Sequence, residues 1–206
     1  MAYELAKRTA DAEQKLATRD GLPARDGALL SARLQRRYQD RITGSFAIPG
    51  REGRYAPIPD AVPPALAAAL KARGIEQLYS HQAEAWEASQ RGEHVAIVTP
   101  TASGKSLCYT LPVVSAAMQD KAKALYLFPT KALAQDQVAE LLELNRAGDL
   151  GVKAFTFDGD TPGDARQAIR LHGDIVVSNP DMLHQAILPH QTQWAQFFEN
   201  LRYIVI

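Results

Sequence analysis

VTPTASGKSLCY, residues 98–109, sets Gly104, Lys105 and Ser106 behind an apolar, β-branched run and ahead of a helix-like one. A phosphate-binding loop reads Gly, four further residues, then Gly-Lys-Ser or Gly-Lys-Thr. Here Thr99 stands at the position of the first Gly. The run HVAIVT (94–99) predicts a strand, and GKSLCYTLPVVSAAM predicts a helix. Between a strand and a helix, successive backbone N–H groups converge on phosphate oxygens, and the helix N-terminus adds roughly half a positive charge. Thr101, Ala102, Ser103 and Gly104 would form that cradle, with Gly104 permitting close approach. Lys105 can reach the β- and γ-phosphates of a nucleotide, and the Ser106 hydroxyl can ligate Mg²⁺. The plainer alternative is a turn with a surface lysine.

The pattern around this loop repeats. ALYLFP (124–129), VKAFTF (152–157), DIVVSN (174–179) and YIVI (203–206) are further strand-like runs, and KALAQDQVAELLELN and GDARQAIRLH between them read as helices. Apolar strands alternating with helices predict an α/β fold, a parallel sheet with helices on both faces. Ligands of such sheets bind beyond the carboxyl ends of the strands. Residues 56–206 are assigned to this domain. Residues 1–55 read as a helical, basic extension, in which Leu30, Leu34, Tyr38 and Ile42 recur every four residues. Arg33, Arg36, Arg37 and Arg41 lie off that stripe, either as a solvated face or as a contact for nucleic acid. PGREGRYAPIPDAVPP (49–64) reads as a linker. Pro63 or Pro64 can then open the helix PALAAALKARG, and Gly74 suits its end.

The 206 residues carry no net charge, but residues 1–54 hold 11 Lys+Arg against 7 Asp+Glu, leaving the remainder acidic. Bulk positive charge therefore does not predict nucleic-acid binding by the main domain, and a backbone grip must use hydroxyls, N–H groups and helix N-termini. No apolar run approaches the ~20 residues of a membrane span. The N-terminus lacks an apolar signal core. A lone cysteine, Cys108, excludes an internal disulfide and a cysteine-cluster zinc site. A cytoplasmic location with no membrane partner is the expectation.

Further motifs lie upstream and downstream of the phosphate loop. In LYSHQAEAW, the Gln82 amide offers a donor and an acceptor that match the adenine edge, and Tyr79 could stack on the base or sit in the core. His81 is expected to orient its neighbours. In FPTKALAQDQ, Thr130 and the first helical N–H groups suit a nucleic-acid phosphate. FDGDTPGDAR is rich in turn formers, and its Asp158 and Asp160 read as loop carboxylates in preference to a metal pair. In SNPDMLH, Asn179, Pro180 and Asp181 form a cap-like helix entry. His184, His190 and Trp194 are assigned to packing or surface.

From about Leu78 to Ile206 these motifs together resemble the DEAD/DEAH-box helicases of superfamily two, and TPTASGKS followed by LCYTLP resembles especially the repair-associated DNA helicases of the MrfA type. Their phosphate loops commonly open with Ala, Thr or Ser, so Thr99 belongs to the pattern. The resemblance implies a RecA-like, P-loop domain that uses ATP and Mg²⁺, with Lys105 and Ser106 in the catalytic machinery and Gln82 in the adenine-reading Q motif. It implies a single-strand backbone grip by Pro129, Thr130, Lys131 and Gln135 of motif Ia, with Gln137 in the same pattern. Gly159, near Thr161, and Asn179, Pro180 and Asp181 of motif Ib extend that grip.

The resemblance also implies that Asp-Glu-x-His would follow Ile206, so the domain is expected to be incomplete. The 206 residues alone are then expected neither to hydrolyse ATP nor to unwind nucleic acid, and to be marginally stable. The partner implied is nucleic acid, single-stranded or partly duplex DNA. An RNA helicase and a non-motor ATP- or nucleic-acid-binding module remain alternatives, and a small-molecule kinase is disfavoured.

Overall fold

The computed structural model describes residues 27–39, 41–44 and 53–206. The chain divides into two compact units, Met1–Arg51 and Glu52–Ile206. Residues 1–26 and the start of the Pro/Gly-rich segment, 49–52, lie outside the described residues. In the first unit, helix α1 (Gly27–Tyr38) ends before Ile42, whose N–H donates to the Tyr38 carbonyl at 3.0 Å. Leu30, Leu34, Tyr38 and Ile42 are all exposed.

The second unit opens with strand β1 (Tyr55–Pro57), helix α2 (Pro64–Ala72), strand β2 (Gln77–Tyr79) and helix α3 (Ser80–Gln90). The segment read as a linker is thus partly structured, because β1 pairs antiparallel with β2 and sets Tyr55 opposite Tyr79. Pro57 fits at the end of this two-stranded ribbon, where its missing N–H costs no central ladder bond. Pro64 starts α2 as expected, and Gly74 follows its C-cap with φ +78°.

Helix α4 (Lys105–Asp120), strand β3 (Lys123–Leu127), helix α5 (Lys131–Gly148), strand β4 (Ala154–Thr156), helix α6 (Gly163–His172) and strand β5 (Ile175–Ser178) follow. A short helix α7 (Pro180–Met182), a π turn (Leu183–Ile187) and a 3₁₀ segment (Leu188–Trp194) lead to helix α8 (Ala195–Glu199) and strand β6 (Leu201–Val205). The sheet order is β4-β5-β3-β6 and every neighbouring pair is parallel. Side chains alternate between two cores. Ala124, Tyr126, Ile175 and Val177 pack with Leu66, Leu70, Leu111 and Leu144 from α2, α4 and α5. Leu125, Leu127 and Val176 pack with Ile169, Trp194 and Phe197. Period-two alternation with apolar residues at both phases requires helices on both faces, and that is the arrangement found.

One expected strand is not in the sheet. HVAIVT (94–99) has no ladder partner, and Val98 is 95% exposed. An open trough of about 1100 Å³ is lined by residues 92–98 and by Arg202–Ile206 of the β6 edge. A parallel strand is held by backbone partners and by cover on its faces, and an apolar β-branched pattern supplies neither by itself. Among the described residues no helix is long and apolar enough to cross a membrane.

Trp194 is 1% exposed and meets Phe157 and Phe197 edge-on at centroid distances of 4.9 and 5.5 Å. Trp194→Ala should destabilise the domain by about 3–5 kcal/mol, whereas truncation of exposed Leu171 should cost less than about 0.5 kcal/mol. Urea unfolding midpoints check both.

Candidate nucleotide and nucleic-acid site

The phosphate loop is a left-handed entry to α4. Gly104 is its N-cap with φ +74°, and Ala102 also has a positive φ of +60°. Alternation of hand in a short backbone stretch turns N–H groups inward, which is how an anion nest is built. A Cβ on Gly104 would lie 2.7 Å from the Gln82 amide nitrogen, so this position needs glycine for space as well as for backbone. Lys105 Nζ donates to the carbonyls of Thr99 (3.0 Å) and Pro100 (2.7 Å). The Thr99 and Ser103 hydroxyls bond each other at 2.6 Å, closing the loop in a way that glycine at position 99 could not. Thr101 lies exposed at the tip, and Ser106 sits half-buried in the first turn of α4.

Two residues of α3 tie the upstream segment to this loop. Gln82 is 4% exposed; its carbonyl accepts the Tyr79 N–H at 2.8 Å, and its amide N–H donates to the Gly104 carbonyl at 2.8 Å. The amide read from sequence as a base reader is therefore engaged on both sides, and one N–H and one lone pair remain to it. His81 Nε2 lies 3.0 Å from the Ser103 carbonyl, the local orienting part expected of it. Tyr79 is outside the core, and its ring stacks with that of Tyr55 at 5.1 Å and with that of His81 at 5.6 Å. Tyr55 escaped the sequence reading because it falls in the Pro/Gly-rich segment, and only the β1–β2 pairing brings it here.

Three more loops leave the carboxyl ends of β4, β5 and β3 side by side. After β3, the Thr130 hydroxyl accepts the Leu133 N–H at 3.3 Å and caps α5, with Pro129, Lys131 and Gln135 exposed. After β5, Asn179 Oδ1 accepts the Met182 N–H at 2.8 Å, Pro180 takes the first helical position, and Asp181 is exposed. After β4, buried Asp158 accepts the Asp160 N–H (2.9 Å) and the Thr161 hydroxyl proton (3.2 Å). Arg166 braces this loop, donating to the carbonyls of Thr161, Asp158 and Gly159 while its guanidinium lies over Phe157 at 5.3 Å. Gly159 has open space around it. Buried Ser178 donates to the Phe157 carbonyl at 2.6 Å and locks the β4 and β5 loops together. Trp194 is core, whereas His184 and His190 are exposed.

Contacts join the loops in pairs. Gln137 of α5 accepts the Tyr109 hydroxyl proton from α4 at 2.7 Å, linking the helix that follows the phosphate loop to the helix capped by Thr130. Lys131 forms an ion pair with Asp160. Their hydrogen bond raises the lysine's pKa and lowers the carboxylate's. Neither Arg166 nor Tyr109 carries a signal in its own sequence neighbourhood, because each acts on backbone brought near only by folding.

Burial pushes the Cys108 thiol up to about 11 and the Tyr109 phenol up to about 12. Cys108 should accordingly resist an alkylating reagent at pH 8 in the native protein and react readily in denaturant, as followed by mass spectrometry. Gly104→Ala should cost about 1–3 kcal/mol of stability, from the left-handed backbone and the lost Gln82 bond, and should weaken binding of a nucleotide analogue. Denaturant unfolding and isothermal titration measure the two effects.

Comparison with known proteins accords with this geometry. The family model described as DEAD/DEAH box helicase matches residues 79–206. The chain is 54% identical over 168 residues to an uncharacterized ATP-dependent helicase, YprA, of Bacillus subtilis (strain 168), covering 81% of this chain and 22% of that protein. It is 44% identical over 137 residues to the ATP-dependent helicase hrq1 of Schizosaccharomyces pombe, covering 65% of this chain and 13% of that one. The crystal structure of the DUF1998 helicase MrfA bound to DNA and AMPPNP superposes with a TM-score of 0.73 at 54% identity, over 75% of this chain and 22% of that one. This chain thus spans about a fifth or less of the length of these relatives. On the family match over residues 79–206, the chain belongs to the DEAD/DEAH box helicase family.

Proposed function

We propose that this chain is the N-terminal, ATP-binding part of an ATP-dependent DNA helicase. Residues 56–206 would be its first RecA-like domain, preceded by residues 1–55 as a basic extension. The observation that carries the reading is the ordering of capped helix N-termini along one sheet edge, beside a phosphate loop whose Gly104 carbonyl is held by Gln82. Helix N-termini and hydroxyl caps hold phosphates without bulk positive charge, and this domain has none to offer.

ATP would lie on the backbone of Thr101–Gly104. Lys105 would exchange its bonds to the Thr99 and Pro100 carbonyls for phosphate oxygens. Ser106, at the start of α4, would ligate Mg²⁺, which would neutralise charge on the phosphates. The exposed rings of Tyr79 and Tyr55 offer aromatic surface to the base, and Gln82 has a spare donor and acceptor for the adenine edge. Pro129, Thr130, Lys131, Gln135, Gly159, Asn179, Pro180 and Asp181 would line the path of a single strand. DNA is favoured over RNA by the 54%-identical helicase solved with DNA. A reducing cytoplasmic setting suits the single buried thiol.

In the full-length protein, single-stranded DNA should stimulate ATP hydrolysis, and Lys105→Ala should reduce the stimulated rate on the order of a hundredfold or more while DNA binding persists. Equal stimulation by RNA would favour the RNA-helicase reading. A parent protein that binds ATP and DNA without turnover would leave a binding module.

A further inference from the structure

The strand-end loops hold a contact that the proposed nucleic-acid path does not use. Lys131 follows β3 and Asp160 follows β4, and β5 lies between those strands. Their ion pair, at 2.5 Å, therefore joins the two outer loops past the β5 loop that carries Asn179. Both side chains are exposed, at 51% for Lys131 and 81% for Asp160, so a solvent-borne anion can reach the ammonium. The rest of the Asp160 loop is held without that carboxylate. Asp158 and Thr161 bond within the turn, and Arg166 fastens three of its carbonyls. Among the described residues, Lys131 is the one hydrogen-bond partner of the Asp160 side chain. The loop thus presents a carboxylate to a lysine on a braced backbone, and its own shape does not need that carboxylate.

We propose that Asp160 is a positioning residue that sets the strength of the nucleic-acid grip: its carboxylate holds Lys131 and competes with a strand phosphate for the ammonium. This rests on the strand-end loops being the nucleic-acid path. A phosphate arriving at Lys131 exchanges one anionic partner for another, so the lysine is never left bare and the gain on binding is small. A protein that must release and re-grip a strand benefits from such an exchange, since a full-strength lysine–phosphate contact would slow each release. An exposed pair of this kind is weak, which places its effect on affinity in the range of about two- to fivefold.

The test uses the full-length protein and a fluorescein-labelled oligo-deoxythymidine single strand, read by anisotropy at fixed ionic strength, because such affinities depend steeply on salt. Asp160→Asn removes the competing charge at constant size and should raise affinity about two- to fivefold. Asp160→Glu should stay near wild type. In the Lys131→Met background, Asp160→Asn should give no gain, which separates competition for the lysine from general repulsion of DNA by an acid. A gain that persists without Lys131, unchanged affinity, or a loss of affinity in Asp160→Asn would each overturn the proposal while leaving the helicase reading intact. Wild-type protein that fails to bind the oligonucleotide at all would overturn both.

Discussion

Parallel pairing of β3, β4 and β5 is the constraint on which the rest of this domain depends. In a parallel sheet every strand points the same way, so the loops leaving the carboxyl ends emerge on one edge. Each loop here is followed by a helix, whose free N–H groups face the same edge. Thr130 and Asn179 satisfy part of that donor set as caps. An edge lined with helix N-termini attracts phosphates even in an acidic domain, so the charge balance of this chain is compatible with the nucleic-acid partner proposed for it.

Polar contacts join the loops and the helices that follow them. Gln82 fastens the upstream segment to the phosphate loop, Tyr109 and Gln137 join the two helices, and Ser178 ties the β4 loop to β5. Each bond joins backbone or side chains from elements far apart in sequence. The two apolar cores lie beneath, one on each face of the sheet.

The trough beside β6 carries exposed apolar side chains among polar ones: Val95 and Val98 come from the stretch before the phosphate loop, and Ile204 and Ile206 from the end of the chain. The phosphate loop hangs from this stretch at one end and from α4 at the other. Its geometry is therefore set by α3 and α4, through His81, Gln82 and the N-terminus of α4, and not by a strand beneath it.

Local pattern determined much of this protein. Short apolar runs marked β3, β4, β5 and β6, GDARQAIRLH gave α6 at its observed bounds, and Gly104-Lys105-Ser106 marked the start of α4. These follow from periodicity and from the conformations that Gly and Pro allow, which are properties of a few adjacent residues. Tertiary structure alone decided that residues 94–99 stay out of the sheet, because pairing needs an edge that no local pattern supplies. It alone placed Tyr55 on Tyr79, turned the Gln82 amide onto the Gly104 carbonyl, fixed the Asp160 loop with Arg166 and set Asp160 against Lys131. Each of these contacts depends on through-space distance between separate elements, which sequence spacing does not encode.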